Sequence, residues 1–261
     1  MAITDNLVAW WRLDEASGNR ADSSGNGFTL TDNNTVGSAT GRVSALAADF
    51  IPANSESLST TNSTVNGTFV SATSWTLALW IYPEYDGVNR LSPIGNFDGA
   101  FSGIFGLQKT TPTDGNRRLS WQVWHNGGGV VGVEPTADAA VDTWSFVVLK
   151  WDQAGGKLYA RTNATTTSGT TWTDTLSANA ILYLGRRGSS LSGIGDYWDG
   201  RIGPVGLWSR ALTSGELDTL YNSGAGMDPT AVASGQPATL RGVYIPGMQS
   251  GGRRVIGRGW G

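Results

Sequence analysis

Carboxylates are the first residues in this chain whose chemistry can be tested by spacing. Hydrolysis of a glycosidic bond takes two carboxyl groups held roughly 5–9 Å apart across the scissile bond. The chain has five glutamates, Glu15, Glu56, Glu84, Glu134 and Glu216. None belongs to an E-x-D-x-E or E-x-D-x-x-E run, which would set both carboxyls on one face of a strand. No catalytic residues are therefore expected. With no Cys and a single His125, neither a thiolate nor a histidine-cluster zinc site can form, and no G-x-S-x-G nucleophile elbow is present. One loop does have cation-binding character. Asp22-Ser-Ser-Gly-Asn-Gly27 carries side-chain oxygens at Asp22, Ser24 and Asn26 and glycine at its sixth position, like the first half of a calcium loop. Its twelfth position is Asn33, where an EF-hand needs Glu. Calcium is thus a candidate cofactor at Asp22, Ser24 and Asn26, and an Asx-type turn is the alternative.

Aromatic residues suggest a second chemistry, stacking on sugar rings. The chain has 12 Trp, far above ordinary usage. Trp10, Trp75, Trp121, Trp144 and Trp208 fall at buried strand or strand-entry positions. Trp124, Trp172, Tyr197 and Trp198 are out of phase with the core or lie in loops, and His125 adjoins Trp124. Those five residues are the candidates for a glycan-binding surface.

The elements that must position them read as β-structure. The chain has 261 residues, 37 Gly and only 15% charged residues, which predicts many short strands joined by tight turns. In Thr76-Leu-Ala-Leu-Trp-Ile-Tyr82, Leu77, Leu79 and Ile81 share one face, and Trp80 and Tyr82 point the other way. Leu119, Trp121 and Val123 alternate with Ser120, Gln122 and Trp124 in the same manner. Both windows predict half-buried antiparallel strands. Trp144–Trp151 is apolar on both faces, as a central strand covered on each side would be, and Asp152-Gln-Ala-Gly-Gly156 turns it into Lys157–Arg161. Further strands are predicted around 43–50, 56–60, 104–109, 130–134, 180–185 and 201–208. One short helix is well specified. Thr213 and Glu216 form a capping box, Leu212 and Leu217 a hydrophobic staple, and Gly224 is placed to end the helix in the left-handed region.

Two bracketing segments carry a family resemblance. Leu7-Val-Ala-Trp-Trp-Arg-Leu-Asp-Glu-Ala-Ser-Gly18 leading to Asp22–Gly27, and Asp196-Tyr-Trp-Asp-Gly-Arg-Ile-Gly-Pro-Val-Gly-Leu-Trp through Gly224, resemble the opening and closing segments of LamG-like (laminin G type) domains of the concanavalin A-like lectin/glucanase superfamily. That resemblance implies an all-β, two-sheet antiparallel jelly-roll sandwich over residues 1–227 with one short C-terminal helix. It also implies calcium, known in many LamG-like relatives, and carbohydrate binding, with glycoside hydrolysis the less expected alternative. One position departs from the family pattern. Gly203 stands where an Asp usually follows the Gly-x-Ile of the last strand.

Residues 228–261 read as a Gly-rich basic arm. From 229 onward there are four arginines and no acid, which leaves the rest of the chain at −7 for the stated net charge of −3. Arg241, Arg253, Arg254 and Arg258 are interspersed with Tyr244, Ile245, Met248, Val255, Ile256 and Trp260. Apolar anchors have no use in a purely solvating linker, so the arm is expected to dock on another subunit. Four arginines make a weak electrostatic footprint, so nucleic acid is not the expected partner. No stretch approaches 18 apolar residues, so no membrane insertion is expected. The start at Met1, with no basic segment leading into an apolar one, predicts a protein made in the cytoplasm without a Sec-type signal. This organisation resembles a phage virion decoration, fibre or tail-associated protein. It predicts a homo-oligomer on a virion or extracellular surface assembly, with other assembly subunits and a surface glycan as partners. A secreted lectin-like module is the alternative.

Overall fold

The computed structural model of the chain describes residues 1–70, 74–84, 91–96, 105–110, 118–124, 130–134, 138–167, 169–172, 181–188 and 197–233. In chain order the strands begin with β1 (Leu7–Trp11), β2 (Thr31–Asn33), β3 (Gly37–Thr40), β4 (Leu46–Phe50), β5 (Ser57–Thr60) and β6 (Trp75–Pro83). There follow β7 (Leu91–Gly95), β8 (Phe105–Thr110), β9 (Arg118–Trp124), β10 (Val130–Val133), β11 (Ser145–Asp152) and β12 (Lys157–Thr162). The last four are β13 (Thr165–Thr166), β14 (Thr170–Thr171), β15 (Leu182–Leu184) and β16 (Gly200–Trp208). Helices are short: α1 (Ser63–Val70), α2 (Ser214–Tyr221) and α3 (Pro229–Ala233). None is long and apolar enough to cross a membrane.

The strands form two antiparallel sheets, as expected for a sandwich. One runs β13-β12-β11-β6-β16-β4-β3, with β1 also on β16 and β14 on β12. The other is seven-stranded, β10-β9-β8-β7-β15-β5-β2. Alternation decides which side chains meet between them. Leu77, Leu79 and Ile81 of β6 and Val147 and Leu149 of β11 join Leu119, Trp121 and Val123 of β9, Leu58 of β5 and Leu182 and Leu184 of β15 in the main core.

The opposite face of β6 was expected to face solvent. It does not, because Ala78 and Trp80, with Phe146 and Val148 of β11, are covered by Trp10, Trp208, Leu212, Leu217 and Leu220 in a second cluster. The capped helix α2 and the N-terminal residues supply that cover, so a two-sheet sandwich gains a third apolar layer on one side. The Thr213–Glu216 capping box is present, and Leu212 and Leu217 are both buried in the same cluster. At the end of α2, Asn222 takes the left-handed conformation (φ 46°) with its N–H on the Asp218 carbonyl, and a 3₁₀ turn carries the chain two residues further to Gly224, which has the expected positive φ (89°). Asn tolerates this region because its short side chain bonds locally; here its amide donates to the Gly226 carbonyl.

Helix α1 was not foreseen, because Ser-Thr-Val-Asn-Gly-Thr-Phe-Val is a poor helix by propensity. Tertiary contacts override that. Asn62 Oδ1 caps the Thr64 and Val65 amides, and Val65 and Phe69 enter the core. The chain also remains on the sandwich beyond residue 227. Arg12 Nε pairs with Asp228 Oδ2 at 2.7 Å and its Nη2 donates to Thr230 Oγ1, so the first residues of the expected arm are tied down. Its other named positions, Arg241, Tyr244, Ile245, Met248, Arg253, Arg254, Val255, Ile256, Arg258 and Trp260, lie outside the described residues.

Candidate functional site

The Asp22 loop is a wiring point of the fold. Asp22 Oδ1 accepts from the Trp10 and Ser24 amides at 3.0 and 2.9 Å, and Oδ2 from the Ser24 hydroxyl and the Phe28 amide at 2.8 and 3.1 Å. Asn26 turns its amide nitrogen to the Leu7 and Val8 carbonyls of β1, and Ser24 Oγ donates to Val8 as well. A calcium site needs six to eight free oxygens. Here the one carboxylate is saturated by four donors and the Asn contributes nitrogen. In this arrangement Asp22, Ser24 and Asn26 form an Asx-type turn and do not present an open set of side-chain oxygens to an ion. Among the described residues no cluster of three or more acidic or histidine side chains could hold a metal.

The five aromatic and histidine candidates separate sharply. Trp172 is 4% exposed and Trp198 fully buried, both in the main core, so neither offers a face to a sugar. They were mistaken for surface residues because each sits outside strand alternation, whereas core contacts here also come from residues flanking strands. His125 and the side chain of Trp124 lie outside the described residues. Tyr197 is half-buried and reaches the surface.

Around Tyr197 the structure assembles a group that sequence reasoning missed. Leu182 and Leu184 of β15 point into the core, so Tyr183 between them projects from the outward face of the seven-stranded sheet. Arg186 follows after a turn at Gly185 and pairs with Tyr197 in an isolated antiparallel bridge. Its guanidinium carbon lies 5.1 Å from the Tyr183 ring centroid and 4.9 Å from that of Tyr197, a cation–π contact with each ring. Buried Trp198 anchors this arrangement, its N–H donating to the Gly185 carbonyl at 2.8 Å. Gly185 itself has φ +82°, and the Phe50 ring occupies the place of any β-carbon there, so only glycine can make this turn. The Leu-Tyr-Leu alternation was a legible signal for Tyr183. Nothing in the sequence signalled Arg186.

The described arginines differ in whether a carboxylate meets them. Arg12, Arg20, Arg161, Arg201 and Arg210 each pair with a carboxylate, on Asp228, Glu15, Asp218, Glu84 and Glu216 respectively. Among the described residues no carboxylate pairs with Arg186, and its buried Nε has no hydrogen-bond acceptor.

Sequence comparison agrees with this architecture. A family model of laminin G type, described as the concanavalin A-like lectin/glucanases superfamily, matches residues 52–218, well over half of the chain. The chain belongs to this superfamily. No curated protein sequence matches it. Among solved structures, domain 4 of AbnA, a GH43 extracellular arabinanase from Geobacillus stearothermophilus in complex with arabinotriose, is similar at 19% identity and a TM-score of 0.58. That match covers 85% of this chain and 98% of the domain. Botulinum neurotoxin type C, whose cell entry depends on interaction with two ganglioside molecules, is similar at 11% identity and a TM-score of 0.62, over 85% of this chain and 52% of that one. The receptor-binding domain of botulinum neurotoxin type G gives 12% identity and a TM-score of 0.58, over 83% and 51%. This superfamily domain thus spans about half the length of the toxin chains. At these identities the likeness is one of fold.

The superfamily domain's departure at Gly203 has a packing cause. A β-carbon there would lie 3.1 Å from Trp80 Cβ and 3.3 Å from the Trp144 ring, so a side chain would crowd the aromatic layer. Gly203 and Pro204 also mark the register shift where β16 passes from pairing with β4 to pairing with β1. The remaining carboxyl of note, Asp199, is pushed above the usual carboxylate range by burial and by neighbouring Asp49.

Proposed function

We propose that this domain is a non-catalytic carbohydrate-binding module that takes a saccharide over Tyr183, Arg186 and Tyr197. The observation that carries this reading is the half-exposed Tyr–Arg–Tyr group on the outward face of the seven-stranded sheet. Tyrosine faces stack on the C–H faces of sugar rings, and an oriented guanidinium donates to their oxygens. The similarity in fold to an arabinanase domain holding arabinotriose and to a ganglioside-dependent toxin supports it. Four of the five glutamates serve the fold: Glu15 accepts from the Ala21 amide, Glu56 from the Ile51 amide and Asn54, Glu84 pairs with Arg201, and Glu216 caps α2. A glycan array followed by calorimetry tests the proposal. Tyr183→Ala and Tyr197→Ala should each weaken binding about 5- to 10-fold, the worth of one aromatic contact. An affinity that neither substitution changes would sink it.

The setting we propose is display on a larger assembly, a virion or comparable extracellular surface carrying several copies. The composition of 234–261, basic and apolar with no acid, supports this. Removing those residues should abolish attachment, and attachment that persists would refute the arm's role.

A further inference from the structure

We infer that the saccharide taken by this site is acidic and bears a carboxylate, as a uronic or sialic acid does. The inference rests on the saccharide-binding reading of the same three residues and adds the ligand's charge. Its basis is the state of Arg186. Five other described arginines have a carboxylate partner and Arg42 is held by the Gly224 carbonyl, whereas among the described residues no carboxylate meets Arg186. Its position is set by two rings rather than by hydrogen bonds, since Tyr183 and Tyr197 contact it at 5.1 and 4.9 Å and its Nε finds no acceptor.

That arrangement leaves one kind of chemistry open. An aromatic ring supplies no oxygen acceptor, so the terminal edge of N–H donors on the guanidinium is left for a ligand, while its Nε is buried. A planar pair of acceptors meets that edge, and a carboxylate supplies such a pair with the opposite charge. A neutral sugar hydroxyl offers single acceptors and leaves the cation uncompensated. Half-burial between rings also reduces the water that would otherwise screen the charge, so an anion gains more here than at an open surface arginine. The rings then play a double part, holding the cation before the ligand arrives and offering carbon surface to the sugar ring beside its acid group. The pair Arg201 and Tyr82 on the other sheet shows the contrast. There the guanidinium also lies over a ring, at 4.6 Å, but Glu84 occupies its edge at 2.7 Å, so the same chemistry is already satisfied within the chain.

The test uses the full chain on an array of matched ligands: sialyllactose beside lactose, trigalacturonate beside its methyl ester, a glucuronate-containing oligosaccharide and sulfated lactose. The expected result is at least tenfold preference for a carboxylated member over its neutral partner. Arg186→Gln should abolish that preference while weak binding to the neutral partner remains, and Arg186→Lys should keep part of it, since the charge stays and the planar edge is lost. Thermal melting of both variants confirms folding, and the lysine variant carries the test if the glutamine variant is unstable. Equal binding of acid and ester, or preference retained in Arg186→Gln, overturns the acidic-sugar inference and leaves saccharide binding standing. Binding restricted to sulfated lactose overturns the carboxylate. Binding to no member of the array overturns the saccharide reading itself.

Discussion

Single residues in this domain often do work other than what their type suggests. Gly203 reads as the loss of an acidic position, yet its missing side chain is what lets Trp80 and Trp144 close over β16. Gly203→Asp should therefore destabilise by about 1–3 kcal/mol through overpacking, read as a lower urea midpoint with an unchanged slope. Glu216 is the clearest electrostatic case. Two hydrogen bonds from Arg210, then those from Thr213, hold its carboxyl down from 4.5 to about 2. A carboxyl depressed in the folded state contributes stability that is fully present above its unfolded value and fades as pH falls toward the folded one. The melting temperature should thus drop between about pH 5 and pH 2, and Glu216→Gln should lower it at neutral pH while flattening that drop. Melts across the range check both outcomes. An unchanged acid limb in Glu216→Gln would place the titration elsewhere.

Among elements, the segment from β15 to β16 decides the site. It folds back so that Arg186 and Tyr197 bridge, with Trp198 below and Tyr183 beside them. Trp198→Ala should cost about 3–5 kcal/mol by cavity formation and lose saccharide binding as Tyr197 loses its support. Tyr197→Ala should change stability by under about 1 kcal/mol and still weaken binding about 5- to 10-fold. Denaturant titration alongside binding separates the anchor from the contact, and the two variants behaving alike would refute the distinction. Helix α2 shows what was legible at this scale. Thr213, Glu216, Leu212 and Leu217 specify its start through contacts three to five residues apart. Its end is shared by Asn222 and Gly224, both at positive φ, and the sequence pointed to the glycine alone. Helix α1 was illegible, since its stability comes from Val65 and Phe69 entering a core built by distant strands.

At the scale of the molecule, the sandwich is closed by chain from both ends. Arg12 holds Asp228 and Thr230, and Trp208 donates to the Ile3 carbonyl. Truncation after Ala233 should leave the melting temperature within about 2 °C, because every described contact of the sandwich is retained. A larger fall would mean that 234–261 packs on the domain. Strand alternation, turn residues and the capping box are local properties, so the sequence by itself determined the sandwich class, most strand positions and the start of α2. It also exposed the absence of a paired-carboxylate motif, since that is a matter of spacing along one strand. Only the tertiary structure decided that Trp172 and Trp198 are core, that the outer face of β6 is covered, and that the Asp22 loop is hydrogen-bonded to β1. It alone joined Tyr183, Arg186 and Tyr197. Those choices depend on which segments cross and what is left uncovered, and contacts between residues far apart in the chain carry no local periodicity to announce them.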